Sequence, residues 1–284
     1  MGTLFEVLLL GDDEQHLAAV ADAVLDEIER IEQLLSRFDP RSEISRINRL
    51  AAREPVLIDR EVAQLLAACL AAREWTGGAI DIAASSLASQ ASGMRQLPDD
   101  VASSKFAALP KIEFDPVRRL IRFHDSVIQL DLGAIGKGYA LDRAAEILSE
   151  NNIEHALLHG GTSSVLAQGR DENGQPWRIA LRDPTTGEPA ETIELSDAAL
   201  SCSAVNEQAD IIDPRTGKVV AGEVGYAVMA PTAAEAEVLS TALVVMDREA
   251  AERFVLEQVA SDIRIVRLAG RIPEAVSFRL LESV

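Results

Sequence analysis

The stretch Asp131-Leu132-Gly133-Ala134-Ile135-Gly136-Lys137-Gly138-Tyr139-Ala140-Leu141-Asp142 constrains the fold more than any other. An apolar run (Val127, Ile128, Leu130) precedes it, and apolar positions at Ala140, Ala144, Ile147 and Leu148 follow at helical spacing. The pattern predicts a strand that turns into a helix, with a carboxylate, three glycines and a lysine at the junction. Glycines there let a ligand approach the backbone, and a helix N-terminus offers free N–H groups to a phosphate. A lysine adds the point charge that suits a pyrophosphate. The segment is not a GxxxxGK[ST] loop, because the preceding glycine lies at the wrong distance and Gly138 stands where Ser or Thr belongs. Read alone, it is equally a helix-entry turn with a solvated lysine.

Leu4 to Leu10 reads as a strand. Leu17, Val20, Val24, Ile28, Ile31 and Leu35 recur at three- and four-residue steps, the stripe of a long amphipathic helix. Val62, Leu65, Leu66, Cys69 and Leu70 mark another helix. The polar segment from Ser89 to Lys111 holds Pro98 and Pro110 and reads as a surface excursion. Beyond it, short β-rich runs dominate: Leu120–Phe123, Val127–Leu130, Ala156–Leu158, Ser164–Ala167, Trp177–Leu181, Thr192–Leu195 and Tyr226–Met229. Helical patterns around 137–150, 232–246 and 248–259 interrupt them. This irregular alternation points to an α+β fold rather than a doubly wound sheet. No internal repeat or Gly/Ser/Pro-rich linker breaks the chain, so residues 1–284 read as a single compact domain with mixed β-sheets and flanking helices.

Composition narrows the partners. A formal net charge of −19 argues against nucleic acid, which demands clustered Lys and Arg. Hydrophobic residues make up 48% at a mean hydropathy of +0.07, and no apolar run approaches the roughly 20 residues of a membrane span. Cys69 and Cys202 are unclustered and read as small core residues, not as a metal site or disulfide framework. No basic and apolar leader or lipobox cysteine precedes Met1-Gly2-Thr3, which favours the cytoplasm. A trimmed periplasmic lipoprotein is the alternative.

Taken in order, several short motifs accompany the glycine–lysine stretch: Met1-Gly2-Thr3, Ser36-Arg37-Phe38, Ser42-Glu43-Ile44-Ser45-Arg46-Ile47-Asn48 and Gly78-Ala79-Ile80-Asp81. Gly160-Gly161, Ile211-Ile212-Asp213-Pro214-Arg215-Thr216-Gly217 and Ser240-Thr241-Ala242-Leu243 come after it. The series, from Met1 to about Met246, resembles the ApbE family of Mg²⁺-dependent FAD:protein FMN transferases. That resemblance implies an enzyme that splits FAD, releases AMP and esterifies FMN to a Thr or Ser of a redox acceptor protein. Such phosphoryl chemistry depends on positioning and on neutralising developing charge.

The positions matching family FAD contacts are Met1, Phe38, Ala79, Ile80, Asp81, Asp131, Lys137 and Ile211. Phe38 stands where the family has an aromatic that stacks on the cofactor; otherwise it is the last core residue of the first helix. Asp81 either accepts hydrogen bonds from adenine or ribose or caps a helix. For Mg²⁺ the resemblance implies the Ala134 carbonyl, Glu237 and Thr241, the last two sharing a helix face. In relatives the Glu237 position is Asp, one methylene shorter. The family histidine before Ile-Ile-Asp-Pro is Asp210 here, a weaker base by reference pKa, about 3.9 against about 6.5. Thr162 replaces an acidic residue common after the double glycine, and His159 reads as a strand-end core histidine. These departures leave two further readings open: a flavin-binding, non-catalytic paralogue, and an FAD pyrophosphatase that releases FMN and AMP.

Overall fold

In a computed structural model of the protein, the structure describes residues 3–83, 112–182, 188–205, 211–220, 222 and 224–269. Met1 and Asp210 lie outside these residues, as does the excursion Ser89–Lys111. Contacts gather the chain into two compact units. The first comprises residues 1–31, 135–210 and 221–284; the second comprises 32–134 and 211–220. The sequence shows no linker at these divisions because each unit is discontinuous, and the chain leaves and re-enters without a composition change.

The first unit is built on a six-stranded sheet, ordered β1 (Phe5–Leu10), β5 (His155–Gly160), β6 (Ser164–Gln168), β9 (Ala198–Val205), β10 (Val224–Ala230) and β11 (Arg264–Ala269). Every strand pair among the described residues is antiparallel. A two-stranded ribbon, β7 (Trp177–Arg182) with β8 (Pro189–Leu195), covers one face. Trp177, Ile179, Leu181, Ile193 and Leu195 pack there against Val165, Ala167, Leu200, Ala227 and Met229. The alternate positions of β9, Ser201 and Ser203, face helix α5 (Ala233–Val245), where both hydroxyls meet Ser240. Burial on both faces explains why Val224–Ala230 reads as continuously apolar.

Helix α5 is buried nearly all round: Ala, Val and Leu dominate, and Glu237, Ser240 and Thr241 form its polar strip. Thr232 caps its N-terminus, and the Asp142 carboxylate adds bonds from the Ala233 (2.7 Å) and Ala234 (2.9 Å) N–H groups. Helix α4 (Gly136–Glu150) packs against α5 at very short range. A Cβ at Gly138 would run into the Ala233 carbonyl and sit 2.7 Å from the Ala234 Cα. Gly138 therefore serves helix–helix packing and not the ligand approach that the sequence suggested. Helix α6 (Arg248–Gln258), capped by Asp247, follows.

The second unit holds α2 (Glu43–Leu50), α3 (Arg60–Trp75) and a three-stranded sheet of β2 (Val56–Leu57), β4 (Leu120–Phe123) and β3 (Ile112–Asp115). Helix α1 (Glu14–Leu35) carries the stripe read from the sequence, with Val24 and Ile31 fully buried. Val127–Leu130 is not a strand. Ile128 and Leu130 are fully buried while Val127 is exposed, and the Leu130 backbone is paired to the Asn48 carboxamide, N–H to Oδ1 at 2.7 Å and C=O from Nδ2 at 3.0 Å. One side chain supplies both bonds that a neighbouring strand would otherwise supply.

Candidate functional site

Residues flagged by the sequence fall into two groups, one in each unit. In the second unit, Ser36-Arg37-Phe38 leaves the end of α1 in a turn held by the Ser36 hydroxyl, which accepts the Phe38 and Asp39 N–H groups at 3.2 and 3.1 Å. Ser42 and Ser45 donate to the Ser36 carbonyl, and Ser42 also caps α2. The serines of this motif thus brace the turn, and what the turn presents is Arg37 and Phe38. Phe38 is 81% exposed, so it is not a core residue. The Arg37 guanidinium lies 4.5 Å from the centroid of its ring and also pairs with Asp131 at 3.1 Å. Arg37 was not singled out from the sequence, where one arginine among many carries no signal.

Asp131 is held in place by its backbone N–H, which donates to the Ile82 carbonyl at 2.7 Å, while Oδ1 accepts the Gly133 N–H at 2.9 Å. That bond joins Asp131 to the Gly78-Ala79-Ile80-Asp81 turn. Gly78 has φ +81° and lies against the Arg215 side chain, which brings the turn beside the hairpin after Ile211. Ile212 bridges Val219, and Asp213 holds Arg215 through both carboxylate oxygens. The structure therefore brings Phe38, Ala79, Ile80, Asp81, Asp131 and Ile211 into one unit. Their side chains differ in what they offer. Ala79 and Ile80 are buried, and the Asp81 carboxylate, 5% exposed, is occupied by Arg73 at 2.8 Å and the Ala83 N–H at 2.8 Å. Asp81 caps no described helix; it braces the turn, leaving backbone as what the turn can show a ligand.

In the first unit the open end of α4 carries Lys137. Its N-cap, Ile135, supplies no side-chain hydrogen bond, but the Gly138 N–H in the first turn is capped from α5 by the Glu237 carboxylate. The Lys137 side chain is 22% exposed. It forms a direct ion pair with Oε1 of Glu237, while Oε2 of the same carboxylate accepts the Gly138 N–H at 2.7 Å. Glu237 is 3% exposed, far from the solvated glutamate that its helix position allowed. One turn on, the Thr241 hydroxyl contacts Ser203 at 3.2 Å, and Ser203 continues to Ser240 at 2.9 Å and Ser201 at 3.1 Å from Ser240. Lys137, Glu237 and Thr241 are thus brought together, with Ser203 added.

A carboxylate and a hydroxyl one turn apart are the hard oxygen donors that a Mg²⁺ ion accepts, with waters and substrate phosphates completing its shell. In kind, Glu237 and Thr241 fit such an ion, though both carboxylate oxygens already have partners. No cluster of three or more His, Cys, Asp or Glu suited to a metal exists among the described residues. Ala134 precedes the Ile135 cap in a turn. His159 is half-buried on β5 opposite Glu6, and Thr162 is exposed after Gly161. Burial pushes the Cys69 and Cys202 thiols up to about 12, which keeps both inert as thiolate nucleophiles. Asp142, burial being the main cause, is pushed up to about 6.

The model of the ApbE family matches residues 1–264. The chain is similar to the FAD:protein FMN transferase of Escherichia coli strain K12, 26% identical over 277 residues, covering 90% of this chain and 79% of that protein. It is 27% identical to the Haemophilus influenzae protein of the same name over 279 residues, covering 88% and 80%. Among solved structures, the ApbE protein of Thermotoga maritima superposes with a TM-score of 0.81 at 26% identity, covering 94% of this chain and 91% of that one. The flavin transferase ApbE of Vibrio cholerae, at 22% identity and a TM-score of 0.74, covers 94% and 90% and shares the fold. The chain belongs to the ApbE family.

Proposed function

We propose that this chain is an FAD:protein FMN transferase, with FAD as substrate and a protein as acceptor. The observation that carries the reading is the Lys137–Glu237–Thr241 constellation at the N-terminus of α4, in a chain matched by the family model over residues 1–264. We assign the acceptor group to a Thr or Ser hydroxyl of a redox protein. Its oxygen attacks the FMN phosphorus, the bond from that phosphorus to the bridging oxygen breaks, and AMP departs with that oxygen. The hydroxyl proton goes to Asp210, which stands in the family's histidine slot. The ionised carboxylate is poorly matched to this task near neutrality, which makes the step slow.

Each residue has a distinct part in this reading. The α4 N-terminus and the Lys137 ammonium receive pyrophosphate oxygens. Glu237 and Thr241 would hold Mg²⁺. That ion, when bound, neutralises charge on the pyrophosphate and on the departing AMP. In the second unit, the exposed Phe38 ring offers a stacking face, and Asp131 and the Ala79–Asp81 backbone offer polar groups to a flavin nucleotide.

Incubation with FAD and Mg²⁺, with and without a Thr-bearing acceptor, followed by mass spectrometry, tests the reading. Transfer appears as an acceptor heavier by FMN less water, together with free AMP. AMP and FMN without an adduct would make the protein a pyrophosphatase, and intact FAD would make it a binder. Asp210→His is expected to raise the single-turnover rate by about 10²- to 10⁴-fold, the usual worth of a well-matched base. An unchanged rate in the His and Asn variants would remove Asp210 from proton transfer.

A further inference from the structure

The Glu237 carboxylate, which the proposed function makes a metal ligand, already has an ionic partner inside the protein. Lys137 pairs directly with Oε1, and Gly138 N–H holds Oε2 at 2.7 Å. Gly138 cannot retreat, since its Cα face abuts the Ala233 and Ala234 backbone. With Glu237 3% exposed and Lys137 22% exposed, this carboxylate has little water to exchange for a second cation. A monovalent ammonium and a divalent ion on one buried oxygen would repel strongly in a poorly solvated site.

We infer that Lys137 is an internal competitor for the metal position, one that must leave Glu237 before a divalent cation can take it. The lysine springs from the first turn of α4, whose N-cap Ile135 makes no side-chain hydrogen bond. Once displaced, its ammonium needs another anion, and a pyrophosphate at that helix end supplies one. Metal and FAD binding are then coupled: each lowers the cost of moving Lys137 for the other, and linkage makes the effect reciprocal. The free protein binds metal weakly, and the substrate-loaded protein binds it well. This inference rests on the assignment of Glu237 as a metal ligand.

The test uses Mn²⁺ as probe, counted by the electron paramagnetic resonance of the free ion, on the full chain with no acceptor present. Lys137→Gln keeps a hydrogen-bond donor for Glu237 and removes the charge. It is expected to bind Mn²⁺ without FAD about tenfold or more tightly than wild type, with Lys137→Met as a second charge-removing variant and Lys137→Arg staying near wild type. FAD should tighten Mn²⁺ binding to wild type within the usual range for coupled sites, about 5- to 150-fold, and do so much less in Lys137→Gln. Equal or weaker Mn²⁺ binding by the charge-removing variants, or the same FAD effect with and without Lys137, would overturn the competition. Glu237→Gln in the Lys137→Gln background separates the two levels. If the double variant binds Mn²⁺ as tightly as the single one, Glu237 is not a ligand and the metal part of the proposed function fails.

Discussion

Around Lys137 the charges are paired and mostly hidden from water: Glu237 is 3% exposed, and its carboxylate binds one ammonium and one backbone N–H. Around Phe38 the same kinds of group are half-exposed, with the Arg37–Asp131 pair at 38% and 29% and the aromatic ring at 81%. The first region has its partners built into the fold. The second keeps surface free for a partner from outside. A buried charge is costly to leave unpaired, whereas an exposed pair contributes little to stability. The two regions should therefore respond in opposite ways to mutation, the first mainly in stability and the second mainly in ligand affinity.

The sharpest break in this contrast comes from Glu237→Ala, which strands the Lys137 ammonium and the Gly138 N–H. A loss of about 3–5 kcal/mol is expected in urea denaturation, somewhat eased by the partial exposure of Lys137. Asp131→Ala in the other region should cost no more than about 1 kcal/mol. If the two variants melt alike, the difference in burial has no energetic meaning. Gly138→Ala comes next. Its methyl group meets the Ala233 carbonyl, and overpacking of this kind costs about 1–3 kcal/mol. At Gly133 the nearest atom to an added methyl is the Asp131 carboxylate oxygen at 3.2 Å, which a small rotation relieves, so Gly133→Ala should remain close to wild type in a thermal scan.

Asp142 sharpens the contrast through pH. Its carboxyl is raised from 3.8 to about 6, chiefly by burial, with smaller opposing bonds from Ala234 and Ala233. A raised folded-state pKa means that the native protein holds this proton more tightly than the unfolded chain. The stability it contributes is complete below about pH 3.8 and is lost as pH rises through about 6. Denaturation at pH 4.5 and 7.5 should show wild type losing stability relative to Asp142→Asn over that interval; parallel curves would place the proton elsewhere. The smallest effect on stability is expected at Phe38→Ala, within about 0.5 kcal/mol. The same variant should weaken FAD binding by about 0.5–1.5 kcal/mol, read by flavin fluorescence titration. An undiminished affinity would remove the ring from the binding surface.

Periodicity alone located most elements of both units. The α1 stripe, the α3 pattern, the short strands 120–123, 164–167, 177–181 and 226–229 and the three later helices all appear where spacing put them. It failed at Val127–Leu130, where Ile128 and Leu130 are fully buried but Asn48, distant in sequence, supplies the backbone bonds. It also passed over α2, a helix of eight residues whose polar motif conceals its two buried isoleucines.

For the site, local sequence determined what is local: a lysine at a helix start, an aspartate beside a glycine turn, a carboxylate and a hydroxyl one helical turn apart. These follow from the period of the helix and from the special backbone of glycine. Tertiary structure decided who partners whom. Lys137 and Glu237 are 100 residues apart, and only the close packing of α4 on α5, which Gly138 permits, puts the ammonium on the carboxylate. Arg37 and Asp131 meet in the same way, across a separation that no periodicity encodes. Pairing energy depends on distance and burial, and both are set by the fold as a whole. That is why the sequence named Lys137 and Glu237 separately, for phosphate and for metal, while the structure made them partners.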